Sequence, residues 1–151
     1  MTQRILNKVI AKLKDKKYIT WVKPNLNDET GEYFENIPTK EFLKSHNIEF
    51  TNEKEILDFL EKGKLVGISK PTLENHSENL EMVDEVGDWE DAEYQESYKK
   101  MQQSLLSGKD LRLPAPIFIK IKKIYYLFAG NRRVNLAFNN KVPLKIWLVT
   151  V

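Results

Sequence analysis

Apolar positions along this chain switch between helical and strand-like spacing, and their order predicts an α/β (α+β) protein. Ile5, Leu6, Val9, Ile10 and Leu13 recur at helical intervals backed by lysines, which predicts an amphipathic helix over 3–15. The β-branched and aromatic run Tyr18–Val22 reads as a strand that stops at Lys23-Pro24-Asn25. Asn27, Asp28 and Gly31 then mark a loop, and Thr39 after Pro38 caps a short helix through Ser45. Asn52 with Glu55 forms a capping-box pattern ahead of Ile56, Leu57 and Leu60, and Gly63 closes that helix. Leu65–Ile68 is a short strand. Residues 70–87, with Pro71, Gly87 and scattered acids, show little periodicity and read as a mobile loop.

The second half has a clearer pattern. Asp88 reads as an N-cap with Glu90 and Asp91 in the first turn, where negative charge is favoured. Tyr94, Tyr98, Met101 and Leu105 repeat at helical spacing, with Gly108 just past the end. Leu113-Pro114-Ala115-Pro116 is an extended connector, because proline fixes φ and restrains its predecessor. Ile117–Ile121 and Ile124–Phe128 form a hairpin around Lys122-Lys123, which is not favoured turn chemistry. Gly130 opens a helix through Phe138, Asn139-Asn140 stop it, and Leu144–Val149 is the last strand.

Charge sharpens this outline. Residues 74–98 hold ten acids and no lysine or arginine, whereas 99–151 hold eleven basic residues against Asp110 alone. The basic block is a candidate anion-facing surface, and the acidic block a candidate to shield it, bind metal or meet a protein partner. Solvated faces of separate elements are the alternative reading of both. With no cysteine, disulfides, thiolate metal sites and cysteine nucleophiles are excluded. No apolar run nears the roughly 20 residues of a membrane span and no signal-peptide core follows the start, so a cytoplasmic protein without a membrane partner is expected.

The most specific chemistry lies at Gly130-Asn131-Arg132-Arg133. A glycine at a strand-to-helix corner lets the backbone approach an anion, and the first helical amides point outward with the positive dipole end. Two arginines on that turn add donors for phosphate oxygens, although exposed charges or partners for nearby acids are the bland reading. Tyr125, Tyr126 and Phe128 offer faces for stacking a base, or equally for packing. His46 and His76 stand apart without metal-ligand spacing. Asp88, Glu90 and Asp91 are the acids available for catalysis, against a capping role.

Four stretches, taken in order, resemble one family. Leu113-Pro114-Ala115-Pro116-Ile117 looks like an L-x-x-P-I strand entry, and Tyr126-Leu127-Phe128-Ala129-Gly130-Asn131-Arg132-Arg133 looks like a Y-x-L-x-x-G-x-R-R signature. Ala137 falls one position from the alanine of a G-E-R-R-x-R-A helix, and Val142-Pro143-Leu144-Lys145-Ile146 looks like a closing V-P-v-x-V strand. Together they resemble the ParB/sulfiredoxin-like superfamily, in particular the small ParB-like domains (ParB N-terminal, or "ParB-like nuclease") common in phages and plasmids. The resemblance covers 64–151 and leaves 1–63 as an N-terminal α/β extension. It implies a small mixed sheet with helices packed on it.

It also implies a function. Such domains bind the phosphates of CTP or ATP at the glycine corner, and some relatives are DNA clamps, kinases, sulfinic-acid reductases or nucleases. Carried over, Gly130 gives close approach, Arg132 and Arg133 hold phosphate, and Pro114-Ala115-Pro116 form the opposite wall. Asn131 stands where the family has a metal-associated glutamate and brings no charge to Mg²⁺. The expected cofactor is a nucleoside triphosphate with Mg²⁺, and the expected partner is a nucleotide or a nucleic-acid backbone. A phage or plasmid accessory factor is the leading expectation. A phosphotransferase or nuclease using the same pocket is the first alternative, and an inhibitor whose acidic segment 74–98 mimics nucleic acid is the second. Sulfinic-acid reduction needs a cysteine and is excluded.

Overall fold

The computed structural model describes residues 2–5, 18–83, 92–108 and 110–151. Residues 3–5 are helical, and the rest of the helix expected over 3–15 lies outside the described residues. The elements that follow are β1 (Ile19–Val22), α1 (Leu26–Tyr33), α2 (Ile37–Ser45), α3 (Glu53–Glu61), β2 (Lys64–Ile68) and α4 (Lys70–His76). After the acidic segment come α5 (Ala92–Leu106), β3 (Leu111–Pro114), β4 (Ile117–Ile121), β5 (Ile124–Ala129), α6 (Asn131–Asn139) and β6 (Leu144–Thr150). The fold is α+β.

The main sheet has the order β2-β6-β4-β5. β4 and β5 form the expected antiparallel hairpin, β6 returns parallel to β4, and β2 closes the other edge antiparallel to β6. The return from β5 through α6 is what lets β6 run parallel to β4, since parallel neighbours need a crossover. Phe118, Ile117, Ile119, Ile146 and Val149 are buried at the centre of the sheet, with Leu43, Ile56 and Leu60 from α2 and α3 and Leu105, Val134 and Leu136 from α5 and α6 in the same core.

Residues 19–63 share this core. β1 pairs in parallel with β3, in register Ile19 with Leu111 through Val22 with Pro114. Beyond β3, Ala115 N donates to Val22 O at 2.8 Å. Trp21 Nε1 donates to Pro143 O at 2.9 Å, and Trp147 Nε1 donates to Leu60 O at 2.8 Å. Tyr126 stacks on Phe42 of α2 with centroids 4.0 Å apart, and its hydroxyl meets Thr39 Oγ1 at 3.2 Å. For Tyr126, packing is the role of the ring.

Several expectations need correction. The loop after Lys23-Pro24-Asn25 is the helix α1: Asn25 caps it, accepting from Asn27 N, and Leu26, Thr30 and Tyr33 bury one face despite Gly31. Thr39 does not cap α2; Asn36 does, and Thr39 N is the donor at 3.1 Å. Part of the loop expected over 70–87 is α4, capped by Ser69. Pro71 lies in its first turn, where a missing amide hydrogen breaks no helical bond. Leu113 and Pro114 belong to β3 rather than to a bare connector. The helix-ending glycine, Gly63, has no positive φ. It is required for closeness, because a Cβ there would fall 2.7 Å from Cε2 of Trp147.

Candidate functional site

β5 delivers the chain to Gly130, whose φ of 109° and ψ of 27° are open to glycine and strained for any other residue. Val134 N donates to Gly130 O at 3.1 Å, and α6 starts at once. A Cβ on Gly130 would lie 2.7 Å from a terminal nitrogen of Arg133 and 2.8 Å from Pro116 Cα. The guanidinium of Arg133 is thus folded over the bare Cα of the corner, with Pro116 closing it from behind.

A cleft of about 630 Å³ opens in front of this corner, within the usual range for small-molecule sites. Gly130, Asn131, Arg132 and Arg133 line it together with Pro114, Leu127 and Phe128. Of the three wall residues expected from the sequence, only Pro114 lines the cleft. Ala115 and Pro116 are buried behind it. Asp88, Glu90 and Asp91 lie outside the described residues. His46 caps the end of α2 with its ring 4.8 Å from that of Phe42, and His76 is the exposed last residue of α4.

The far wall carries groups the sequence reading passed over. Glu29 and Glu32 of α1 line the cleft, as do Asn36, Thr39 and Asn79. The spacing of Leu26, Thr30 and Tyr33 behind the Asn25 cap, with Asp28 and Glu29 in the first turn, was the available signal for that helix. Glu29 is half-buried. Loss of water pushes its carboxyl above the ordinary range; the charge of Arg133 opposes this, and Glu32 and Asp28 add to it. The cleft therefore sets two arginines on one side against two carboxylates on the other.

A raised carboxyl pKa gives a definite sign. The folded state holds the Glu29 proton more tightly than the unfolded chain does. The associated stability is full below the unfolded value and lost as pH rises through the folded one. Glu29→Gln, which removes the charge, is expected to raise the melting temperature at neutral pH and to leave it unchanged in acid. Thermal denaturation at both pH values checks this, and an equal effect at both would rule it out.

Asn131 does not face the cleft as an unengaged ligand. Its Oδ1 accepts from Glu81 N at 3.0 Å. The next asparagines on the same face of α6 continue this contact. Asn135 Oδ1 accepts from Val83 N at 2.7 Å while its Nδ2 donates to Glu81 O and Asn131 O at 2.8 and 2.9 Å. Asn139 Nδ2 donates to Val83 O at 2.8 Å. On the sheet side, Asn79 accepts from Leu127 N and donates to Leu127 O, and Glu78 N donates to Tyr125 O. Residues 77–83 form a strap laced to α6 and to the outer edge of β5, where a backbone bridge at Ser77 and Tyr125 is extended by side-chain amides.

The arrangement defines an α+β protein with a glycine corner and two arginines inside a mixed-charge cleft. No protein-family model, no curated protein and no solved structure matches the chain. Among the described residues no helix is long and apolar enough to cross a membrane, and no group of three acidic or histidine side chains converges as a metal site.

Proposed function

We propose that the cleft binds the phosphate groups of a nucleotide and that the protein acts on nucleotides or nucleic acid. The observation that carries this reading is the convergence of the glycine corner, the first turn of α6, Arg132 and Arg133 on one cleft of nucleotide size. A phosphate at such a corner meets backbone amides, the positive dipole end and charge-assisted donors together. Phe128, Leu127 and Met101 supply apolar lining for a base. The resemblance of 64–151 to ParB-like domains agrees with this chemistry.

Among the described residues no three acidic or histidine side chains converge on a place for Mg²⁺. Asn131 takes the place of the glutamate that the resemblance implies, and its oxygen is engaged by Glu81 N. The role proposed for the cleft is binding rather than turnover. Calorimetric titration with ATP, CTP, GTP and ADP, each with and without Mg²⁺, tests it. Binding of at least one nucleotide without Mg²⁺ is expected. The double variant Arg132→Ala/Arg133→Ala should weaken it about a hundredfold or more, since hydrogen bonds to charged groups contribute roughly 1.5–3 kcal/mol each. If no nucleotide binds, or the variant binds as well as the parent, the reading fails, and an inhibitor acting through acidic segment 74–98 becomes the one to pursue.

A further inference from the structure

The two edges of the main sheet are finished differently. On the β5 side, Glu78 N donates to Tyr125 O and Asn79 pairs with both backbone groups of Leu127, so the strap occupies that edge. The β2 side has no such cover. Among the described residues, Lys64–Ile68 form backbone hydrogen bonds with β6 alone. Open edge strands are ordinarily guarded by a proline, a bulge or charges along the strand. β2 has no proline, its register with β6 is unbroken, and its one charged residue, Lys64, stands at its end. Leu65 is 37% exposed at this edge.

The hydrogen-bond pattern fixes which groups face outward. Trp147 N donates to Pro116 O and Val151 N to Lys120 O, so Trp147, Val149 and Val151 turn their backbone groups toward β4. Backbone direction alternates along a strand. Ile146 and Leu148 therefore turn theirs toward β2, where Val66 and Lys64 are their partners. Leu65 and Gly67 are left with N–H and C=O directed away from the sheet. The two positions share one face of it, and a Cβ on Gly67 would have nothing within 4 Å. The edge offers outward backbone groups on two residues, a projecting leucine on one and an open hollow at the other.

We infer that β2 pairs antiparallel with β2 of a second copy of this chain, about a two-fold axis beside Val66. In that register Leu65 lies opposite the partner's Gly67, and each such pair exchanges two N–H to O=C bonds, so every outward group of Leu65 and Gly67 is used. Each leucine fills the hollow at the other copy's glycine. Val66 meets its own equivalent as a β-branched pair, and Lys64 is opposite the partner's Ile68 rather than another lysine. Neighbouring registers fail. One centred on Leu65 needs the Gly63 amide, which donates to Leu60 O at 3.1 Å. One centred on Gly67 needs the Ser69 carbonyl, which accepts from Leu73 N at 3.2 Å. This fit of the strand to itself, in a single register, selects a second copy as the occupant. The two four-stranded sheets join edge to edge, and no residue of β2 or β6 lines the cleft of either copy. One short strand from each copy makes a small interface, below about 1,200 Å², so the dimer is a weak one.

Sedimentation velocity of the whole chain from about 5 to about 500 µM should show a monomer–dimer equilibrium. Leu65→Glu/Gly67→Glu sets like charges opposite each other in both pairs and should weaken dimerisation at least about tenfold. Because the chain has no cysteine, crosslinking reads the register. On oxidation Val66→Cys should give a disulfide-linked dimer, since a non-hydrogen-bonded pair holds its Cα atoms about 4.5 Å apart, within disulfide reach. Lys64→Cys should not, because its two copies lie four residues out of step, about 13 Å along the strand. Hydrogen exchange on the unmodified chain should find the Leu65 and Gly67 amides unprotected when dilute and protected when concentrated. A chain that stays monomeric across the range overturns the inference. So does a dimer undiminished in Leu65→Glu/Gly67→Glu, or crosslinking as efficient through Lys64→Cys as through Val66→Cys. Protection of both amides at the lowest concentration overturns it as well, since a segment of the same chain would then cover the edge. None of these outcomes depends on nucleotide binding.

Discussion

Replacing Gly130 with alanine is expected to lower the melting temperature by roughly 10 °C, corresponding to about 3 kcal/mol for a chain of this size. Two independent terms combine. A φ of 109° is strained for any residue with a Cβ, and that Cβ would meet Pro116 Cα at 2.8 Å. Backbone cannot swing aside as a side-chain end can, and Pro116 is itself held, since its carbonyl accepts from Trp147 N at 2.8 Å. The same Cβ would displace the guanidinium of Arg133, so nucleotide affinity should fall along with stability. Gly67→Ala is the matched control: a Cβ there has nothing within 4 Å, and its φ is not positive. Equal melting temperatures for the two variants, measured by calorimetry, would show that the corner is not constrained as described.

A loss of similar size is expected for Asn135→Ala. The side chain is fully buried and ties together Val83 N, Glu81 O and Asn131 O. Removing it strands a buried donor and withdraws a partner from two acceptors. An unsatisfied buried group costs about 1–3 kcal/mol, so a total of about 3 kcal/mol follows. Asparagine is suited to this position because it carries an acceptor and two donors on one planar group. Asn135→Asp keeps the acceptor for Val83 N but turns negative oxygen toward two carbonyls, and should be destabilised too. Hydrogen exchange gives the specific readout: the Val83 amide should lose protection in Asn135→Ala well beyond what the global change explains. Undiminished protection at Val83 would mean that the strap is held by something else.

The parts of this fold that follow from short-range pattern were legible in the sequence. The β4–β5 hairpin, the Gly130 corner, the Asn52–Glu55 capping box and β6 each rest on a few adjacent residues. The Asn52 half of the capping box is realised, with Glu55 N donating to Asn52 Oδ1 at 3.0 Å, while the Glu55 carboxylate accepts from Thr51 N and Oγ1 instead of the Asn52 backbone amide. Two helices were hidden by local punctuation. Gly31 and a polar surface disguised α1, and Pro71 disguised α4 although a first-turn proline is compatible with a helix. β3 was hidden for another reason. Its strand character comes from pairing with β1, and nothing near Leu111–Pro114 announces that partner.

The candidate site divides the same way. Gly130, Arg132 and Arg133 were readable because loop, corner and cations are consecutive. Glu29 and Glu32 were not, since they reach the cleft only through the docking of α1, far away in sequence. Asn131 was readable as a hydrogen-bonding residue but not as a clasp. Its partner Glu81 lies 50 residues earlier, in a segment without periodicity.

The parallel pairing of β1 with β3 also bears on how the chain is made. Thr20 Oγ1 donates to Asp110 Oδ1 across 90 residues, beside the β1–β3 register. On a ribosome adding about 5–20 residues per second, β1 emerges roughly 5 to 20 s before its partner strand is synthesised. Throughout that interval the Ile19–Val22 backbone lacks the strand that will pair with it, and Trp21 lacks the Pro143 carbonyl to which its indole will donate. Closure of so long a loop comes late, after the local helices and the β4–β5 hairpin. β1, made first among the strands, is therefore among the last to reach its final place.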